Sequence, residues 1–201
     1  MSFCSPSYLF RIAKFVKLGN SVEYMKQFIL ITGGARSGKS RYAERQAAEL
    51  GNDVLYVATA QAFDDEMRIR IRNHQDDRPD HWHTLETPTG VGEAIIASGL
   101  SPDVVLLDCM TLLATNVMLA LPEPWDSAET DLYREIDRLW ESYQQGNATY
   151  LIVTNEVGFG IVPANKMSRI YRDLLGRANQ RLATLADHVY LLVAGLPVAV
   201  K

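Results

Sequence analysis

An α/β domain, a mostly parallel sheet with helices on both faces, is what this 201-residue sequence predicts. Three observations lead there. Short, continuously apolar runs recur along the chain, the pattern of strands covered on both faces. Between them lie longer segments with apolar residues at helical spacing. The first apolar run, Phe28-Ile29-Leu30-Ile31, passes through Thr32 into Gly33-Gly34-Ala35-Arg36-Ser37-Gly38-Lys39-Ser40. That spacing, G-x-x-x-x-G-K-S between a strand and a helix, is the phosphate-binding loop. The expected fold is therefore of the P-loop NTPase type, RecA-like in arrangement.

The loop carries its own chemistry. Glycines let the backbone wrap a phosphate with its N–H groups in conformations a Cβ obstructs. The helix that follows, 39–50, presents unpaired N–H groups to the same anion. Lys39 reaches the outer phosphates and the Ser40 hydroxyl sits on Mg²⁺. A nucleoside triphosphate is the expected ligand.

Taken in order, 1–24 stand apart, with Arg11, Lys14 and Lys17 among apolar residues. They are expected to be an N-terminal extension, disordered or a misassigned start, because Met25-Lys26-Gln27 runs straight into the first strand. The single P-loop domain is expected over 25–201. After the first helix, Gly51-Asn52 is a C-cap and 54–58 a buried strand ending in Thr59-Ala60-Gln61. Asp64-Asp65-Glu66 begins a helix with acids in its first turn, running through Met67, Ile71 and His74 and stopping near Arg78-Pro79. A short strand is expected at 82–86, a helix at 91–98, a strand at 104–108 and an apolar helix at 111–121. The segment 126–145 places Leu132, Ile136, Leu139 and Tyr143 on one helical face. A strand at 149–153, a helix at 165–186 and a strand at 188–194 complete the domain.

Composition narrows the function classes. Hydrophobic content of 47% and charged content of 22% suit a globular domain with a full core. A net charge of -4 argues against a general nucleic-acid binder. No apolar run is long enough to be read as a transmembrane segment. Cys4 and Cys109 are too far apart for a ligand-pair motif, so no structural zinc or disulfide scaffold is expected, and a reducing compartment such as the cytoplasm fits.

Four residues outside the loop invite chemical readings. Asp108 closes an apolar strand, the pattern of the second acid that holds Mg²⁺ beside a phosphate loop. Glu156, in Thr154-Asn155-Glu156, opens onto the same rim and can polarise a substrate hydroxyl or order a water on Mg²⁺, or simply be an acid near a helix or loop start. His74 shares a helix face with Met67 and Ile71, near Arg70 and Arg78. On the residues alone it is either a partly buried histidine or a neutral imidazole that attacks a phosphorus centre while the arginines hold the charge. Trp82, between His81 and His83, either stacks on a base or packs in a satellite core; His188, heading a strand, reads as structural.

The sequence resembles a known family, the bifunctional adenosylcobinamide kinase / adenosylcobinamide-phosphate guanylyltransferases of cobalamin biosynthesis. The resemblance rests on the loop through Arg41 and on Tyr56-Val57-Ala58-Thr59-Ala60-Gln61. It continues at Asp64-Asp65-Glu66-Met67, His74-x-x-x-Arg78-Pro79-x-His81-Trp82 and Leu106-Leu107-Asp108-Cys109. The segments Thr154-Asn155-Glu156-Val157-Gly158 and Arg177-x-Asn179-Gln180 extend it toward the C-terminus. It implies that ATP or GTP phosphorylates adenosylcobinamide. GTP then gives GMP to a histidine, matched by His74, and from there to adenosylcobinamide phosphate. It implies nucleotide contacts at Gly33, Gly34, Ala35, Arg36, Ser37, Gly38, Lys39, Ser40 and Arg41, at Thr59, Ala60 and Gln61, at Arg78, Pro79, Asp80 and His81, and at Glu86 and Asp108. A homotrimer with the site between subunits is also implied. Asp108 stands where many members carry glutamate, and Asn73 where some carry a second histidine.

Two other functions compete. A plain small-molecule kinase would leave His74 structural. A nucleotide-driven switch would be expected to carry a base-reading Asn-Lys-x-Asp motif, whereas Asn155 is followed by Glu156 and Val157.

Overall fold

The computed structural model describes residues 15–18, 21–61, 68 and 78–201, with side chains from Met25 onward. Nine strands and five helices lie among the described residues. Strands β1 (Phe15–Leu18) and β2 (Ser21–Tyr24) pair antiparallel as a sheet of their own. The main sheet begins with β3 (Phe28–Gly33), followed by helix α1 (Lys39–Leu50), β4 (Val54–Ala58), β5 (His83–Glu86) and α2 (Val91–Ala97). Then come β6 (Val104–Asp108), α3 (Met110–Leu119), α4 (Ala128–Gln145), β7 (Thr149–Val153), α5 (Lys166–Leu185), β8 (His188–Val193) and β9 (Leu196–Ala199). Of the predicted helix at 64–78 only Arg68, in helical conformation, and Arg78 are described, and His74 lies outside the described residues.

Seven strands form one sheet in the order β5-β4-β6-β7-β3-β8-β9, parallel except for the last pair. β7 lies between the strand leading into the phosphate loop and the strand ending in Asp108, as expected of the RecA-like arrangement. Alternate residues of β3, β4, β6, β7 and β8 feed two cores. Phe28 and Leu30 join α2, α3, α4 and α5 on one face, while Ile29 and Ile31 join Tyr42, Ala43 and Ala47 of α1 on the other. Trp82 is buried in the second core, which decides for packing over base stacking.

The amphipathic face expected of α4 is the buried one: Leu132, Ile136 and Leu139 are fully enclosed, and Tyr143 nearly so. That face anchors the start of β3. The Phe28 ring meets Trp140 at 5.4 Å and Tyr143 at 5.3 Å, both edge-on. Lys26 Nζ donates to the carbonyls of Tyr143 (2.9 Å) and Gly146 (2.8 Å), a cation on the open C-terminal end of α4. Asp187 Oδ2 accepts from the Phe28 N–H at 2.8 Å, tying the same end to β8. The strand that carries the loop is thereby pinned at its far end.

Two helix starts are closed by side chains. Asn165 Oδ1 accepts from Ser168 N at 2.7 Å and caps α5. Glu135 of α4 receives the N–H groups of Gly90 and Val91 at the start of α2. At Gly92 a Cβ would lie 2.3 Å from the Arg138 carbonyl, so glycine is what lets α2 cross α4 this closely.

Strand β9 was not predicted. Ala194 (φ 50°) and Gly195 (φ 82°) form a two-residue hairpin turn between the paired Val193 and Leu196. Pro197 argues against a strand in the sequence, yet it is tolerated here because β9 is the sheet edge.

Candidate active site

The rims of five parallel strands meet at one level. Glu86 is in register with Ala58, Ala58 with Asp108, Asp108 with Val153 and Val153 with Ile31. The loops that follow these residues therefore emerge together at the carboxyl edge of the sheet, where ligands bind in open α/β folds.

Gly33 leaves β3 at φ 152°, and a Cβ there would lie 2.6 Å from the Leu192 carbonyl oxygen. Only glycine lets the chain turn at that point beside β8. The loop is then braced from both sides. Glu156 N donates to Gly33 O at 3.0 Å, and Gly195 N donates to Ser37 O at 2.9 Å. The second brace comes from the unpredicted β8–β9 hairpin. Lys39 is buried, with Nζ donating to Gly34 O at 2.6 Å and lying 3.5 Å from Ser37 Oγ. Its ammonium is thus held against the backbone of the loop. Gly34, Ala35, Arg36 and Arg41 are exposed around it, while Ser37, Gly38 and Ser40 are half-buried.

Asp108 is half-buried at the end of β6, and its Oδ2 accepts from the Tyr56 hydroxyl at 3.0 Å. Burial, reinforced by the Asp108 charge, pushes the Tyr56 phenol far above its ordinary range, so it remains a neutral donor. The guanidinium of Arg78 stacks on the same ring, with Cζ 3.5 Å from its centroid. Desolvation and the neighbouring Asp108 raise the Cys109 thiol to about 11, so it remains protonated at neutral pH.

Thr59 is fully buried. Its hydroxyl donates to Cys109 O at 2.8 Å and accepts from Cys109 N at 3.0 Å, clasping β4 to β6. The half-buried Ala60 and Gln61 follow it at the rim. Pro79, Asp80 and His81 lie exposed in the turn closed by Trp82 N donating to Pro79 O at 3.0 Å, and Glu86 is exposed at the end of β5. His74 lies outside the described residues.

A buried polar network underlies the Thr154-Asn155-Glu156 turn, and sequence reasoning did not find it. Thr154 Oγ1 donates to Asn179 Oδ1 at 2.8 Å, and Asn179 Nδ2 donates to Asn155 O at 3.0 Å. Thr111 Oγ1 accepts from Asn155 N at 2.8 Å, and the Tyr171 hydroxyl donates to Thr111 O at 2.9 Å. The available signal was two polar residues, Asn179 and Tyr171, on the inward side of α5. Because Glu156 N bonds Gly33 O, this network also holds the phosphate loop. Asn179→Ala strands the hydroxyl and the carbonyl it served, and is expected to cost about 1–3 kcal/mol. Urea unfolding should show a lower midpoint, and nucleotide affinity should fall with it.

A sequence model of one family, described as cobinamide kinase / cobinamide phosphate guanyltransferase, matches residues 29–200. The chain belongs to this family. It is 47% identical over 180 residues to a protein of Salmonella typhimurium named bifunctional adenosylcobalamin biosynthesis protein CobU, covering 86% of this chain and 99% of that one. The Escherichia coli protein of the same name is 44% identical over 180 residues, covering 86% of this chain and 99% of its own. A Pseudomonas aeruginosa protein, bifunctional adenosylcobalamin biosynthesis protein CobP, is 43% identical over 172 residues, covering 86% and 96%. The match contains the phosphate loop, Tyr56, Arg78, Asp108, the Thr154 turn and Asn179.

Proposed function

We propose that this chain phosphorylates adenosylcobinamide with ATP or GTP and then transfers GMP from GTP, through a guanylylated His74, to adenosylcobinamide phosphate. As a family member it is an enzyme with kinase and guanylyltransferase activity. One observation carries the reading. A complete phosphate loop and Asp108 share one rim in a chain with close, full-length relatives named bifunctional. Those names favour two reactions over a kinase alone.

In the first reaction the terminal hydroxyl oxygen of the aminopropanol arm attacks the γ-phosphorus. The bond to the β–γ bridging oxygen breaks and the nucleoside diphosphate leaves with both electrons. Loop N–H groups and Lys39 bind the phosphates and hold the charge that develops. Glu156 stands at the same rim to accept the hydroxyl proton. In the second, an imidazole nitrogen of His74 attacks the α-phosphorus of GTP and pyrophosphate leaves. An oxygen of adenosylcobinamide phosphate then attacks that phosphorus and breaks the P–N bond, freeing the imidazole. Arg78, His81 and Arg41 are assigned to the nucleotide phosphates, and Ala60, Gln61, Asp80 and Glu86 to the rest of the nucleotide.

Among the described residues no group of three or more His, Cys, Asp or Glu side chains could cage a metal ion. Mg²⁺ needs none, since it is bound by one or two protein oxygens together with substrate phosphates. The hard-oxygen pair Ser40 and Asp108 suits it, and those two residues would hold it. When bound, Mg²⁺ neutralises charge on the phosphate oxygens.

A homotrimer in the cytoplasm, with the site completed between subunits, belongs to the same proposal. Sedimentation should then give about three times the 22.5 kDa chain mass. Mass spectrometry of product from adenosylcobinamide, Mg²⁺ and GTP tests the reactions. Adenosylcobinamide phosphate followed by adenosylcobinamide-GDP supports the proposal. Phosphate product alone removes the second half, and unchanged corrinoid removes both.

A further inference from the structure

β4 reads Val54-Leu55-Tyr56-Val57-Ala58, apolar but for one hydroxyl, and that hydroxyl lies at the site. Tyr56 is 2% exposed and makes two contacts with groups assigned to the nucleotide. Its hydroxyl donates to Asp108 Oδ2 at 3.0 Å, and its ring supports the Arg78 guanidinium at 3.5 Å. Arg78 Nε is buried and has no hydrogen-bond partner among the described residues. A cation with a buried, unused donor has a strong preference for an anion.

We propose that Tyr56 is a positioning residue that sets both groups at once. The hydroxyl fixes the carboxylate of Asp108 for Mg²⁺, and the ring seats Arg78 so that its guanidinium faces the nucleotide phosphates. This rests on the nucleotide reading above and adds to the site a residue from the interior of a strand. A carboxylate on a single rotatable arm samples several orientations, and one buried donor to one oxygen selects among them while leaving lone pairs for the metal. A planar guanidinium stacked on an aromatic face keeps its edge N–H groups free for phosphate oxygens.

The two roles separate by substitution. Tyr56→Phe keeps the ring and removes the hydroxyl; Tyr56→Leu removes both. Binding of a non-hydrolysable GTP analogue is measured calorimetrically without Mg²⁺ and across a Mg²⁺ series, with thermal melts confirming that each variant is folded. Tyr56→Phe should bind as wild type without Mg²⁺, while the Mg²⁺ concentration giving half the metal-dependent gain rises about tenfold. Tyr56→Leu should show that shift and also lose about tenfold in Mg²⁺-free affinity. A Tyr56→Phe Mg²⁺ series superimposing on wild type overturns the hydroxyl's role, and equal Mg²⁺-free affinity in Tyr56→Leu overturns the ring's. Wild-type binding indifferent to Mg²⁺ would instead overturn the metal assignment of Asp108 and the hydroxyl's role with it. Failure of the analogue to bind wild type at all would overturn the nucleotide reading itself and the whole inference.

Discussion

Lys39→Ala is expected to lower corrinoid phosphorylation by about 10²- to 10³-fold, the scale of losing one preorganised charge donor from a transition state. The structure gives the reason. Lys39 follows Gly38 directly, opens α1, and carries its ammonium back into the loop at 2.6 Å from Gly34 O. In the proposed complex a triphosphate would replace that carbonyl with oxygens bearing full negative charge, which strengthens the attraction. Guanylylation should suffer as well if, as proposed, the loop also binds the phosphates of GTP in the second reaction. Steady-state rates with each substrate, beside a thermal melt to separate chemistry from folding, check this. Intact kinase turnover in Lys39→Ala contradicts the role assigned to it.

His74→Ala should divide the two activities. Phosphorylation of adenosylcobinamide should stay within about twofold of wild type, because that reaction passes the γ-phosphoryl group directly to a hydroxyl. GMP transfer should fall to background, since the proposed covalent intermediate forms on that imidazole. Cys109, the one thiol among the described residues, is held protonated by desolvation and by Asp108. Asn73 occupies the adjoining position where a second histidine could have substituted. Product analysis by mass should show adenosylcobinamide phosphate accumulating. Formation of adenosylcobinamide-GDP by this variant removes His74 from the mechanism.

Elements whose pattern is local are legible in the amino-acid sequence. The central parallel strands β3, β4, β6 and β7 are each built on a continuous apolar run, and α4 displays its buried face in the spacing of Leu132, Ile136, Leu139 and Tyr143. The phosphate loop is legible because its glycines, lysine and serine are adjacent in sequence. The β8–β9 hairpin is not, because Pro197 speaks against a strand unless it is known to lie at a sheet edge. Nor are the groups that hold the site in place. Tyr56 meets Asp108 across 52 positions, and Asn179 meets Thr154 across 25. Such contacts exist only once β4 lies beside β6 and α5 packs on β7. Trp82 shows the converse: its flanking histidines suggest a ligand surface, whereas the second core claims it.

The central claim is that this kinase-family chain also forms a covalent GMP intermediate on His74. The most direct measurement incubates the purified protein with Mg²⁺, pyrophosphatase and GTP labelled on the α- or the γ-phosphate, without corrinoid, then denatures it and maps the labelled peptide. The account predicts label from the α-phosphate only, lost in acid as a phosphoramidate is, on the peptide containing His74. No α-label with pyrophosphatase present, or α-label on another residue, would contradict it.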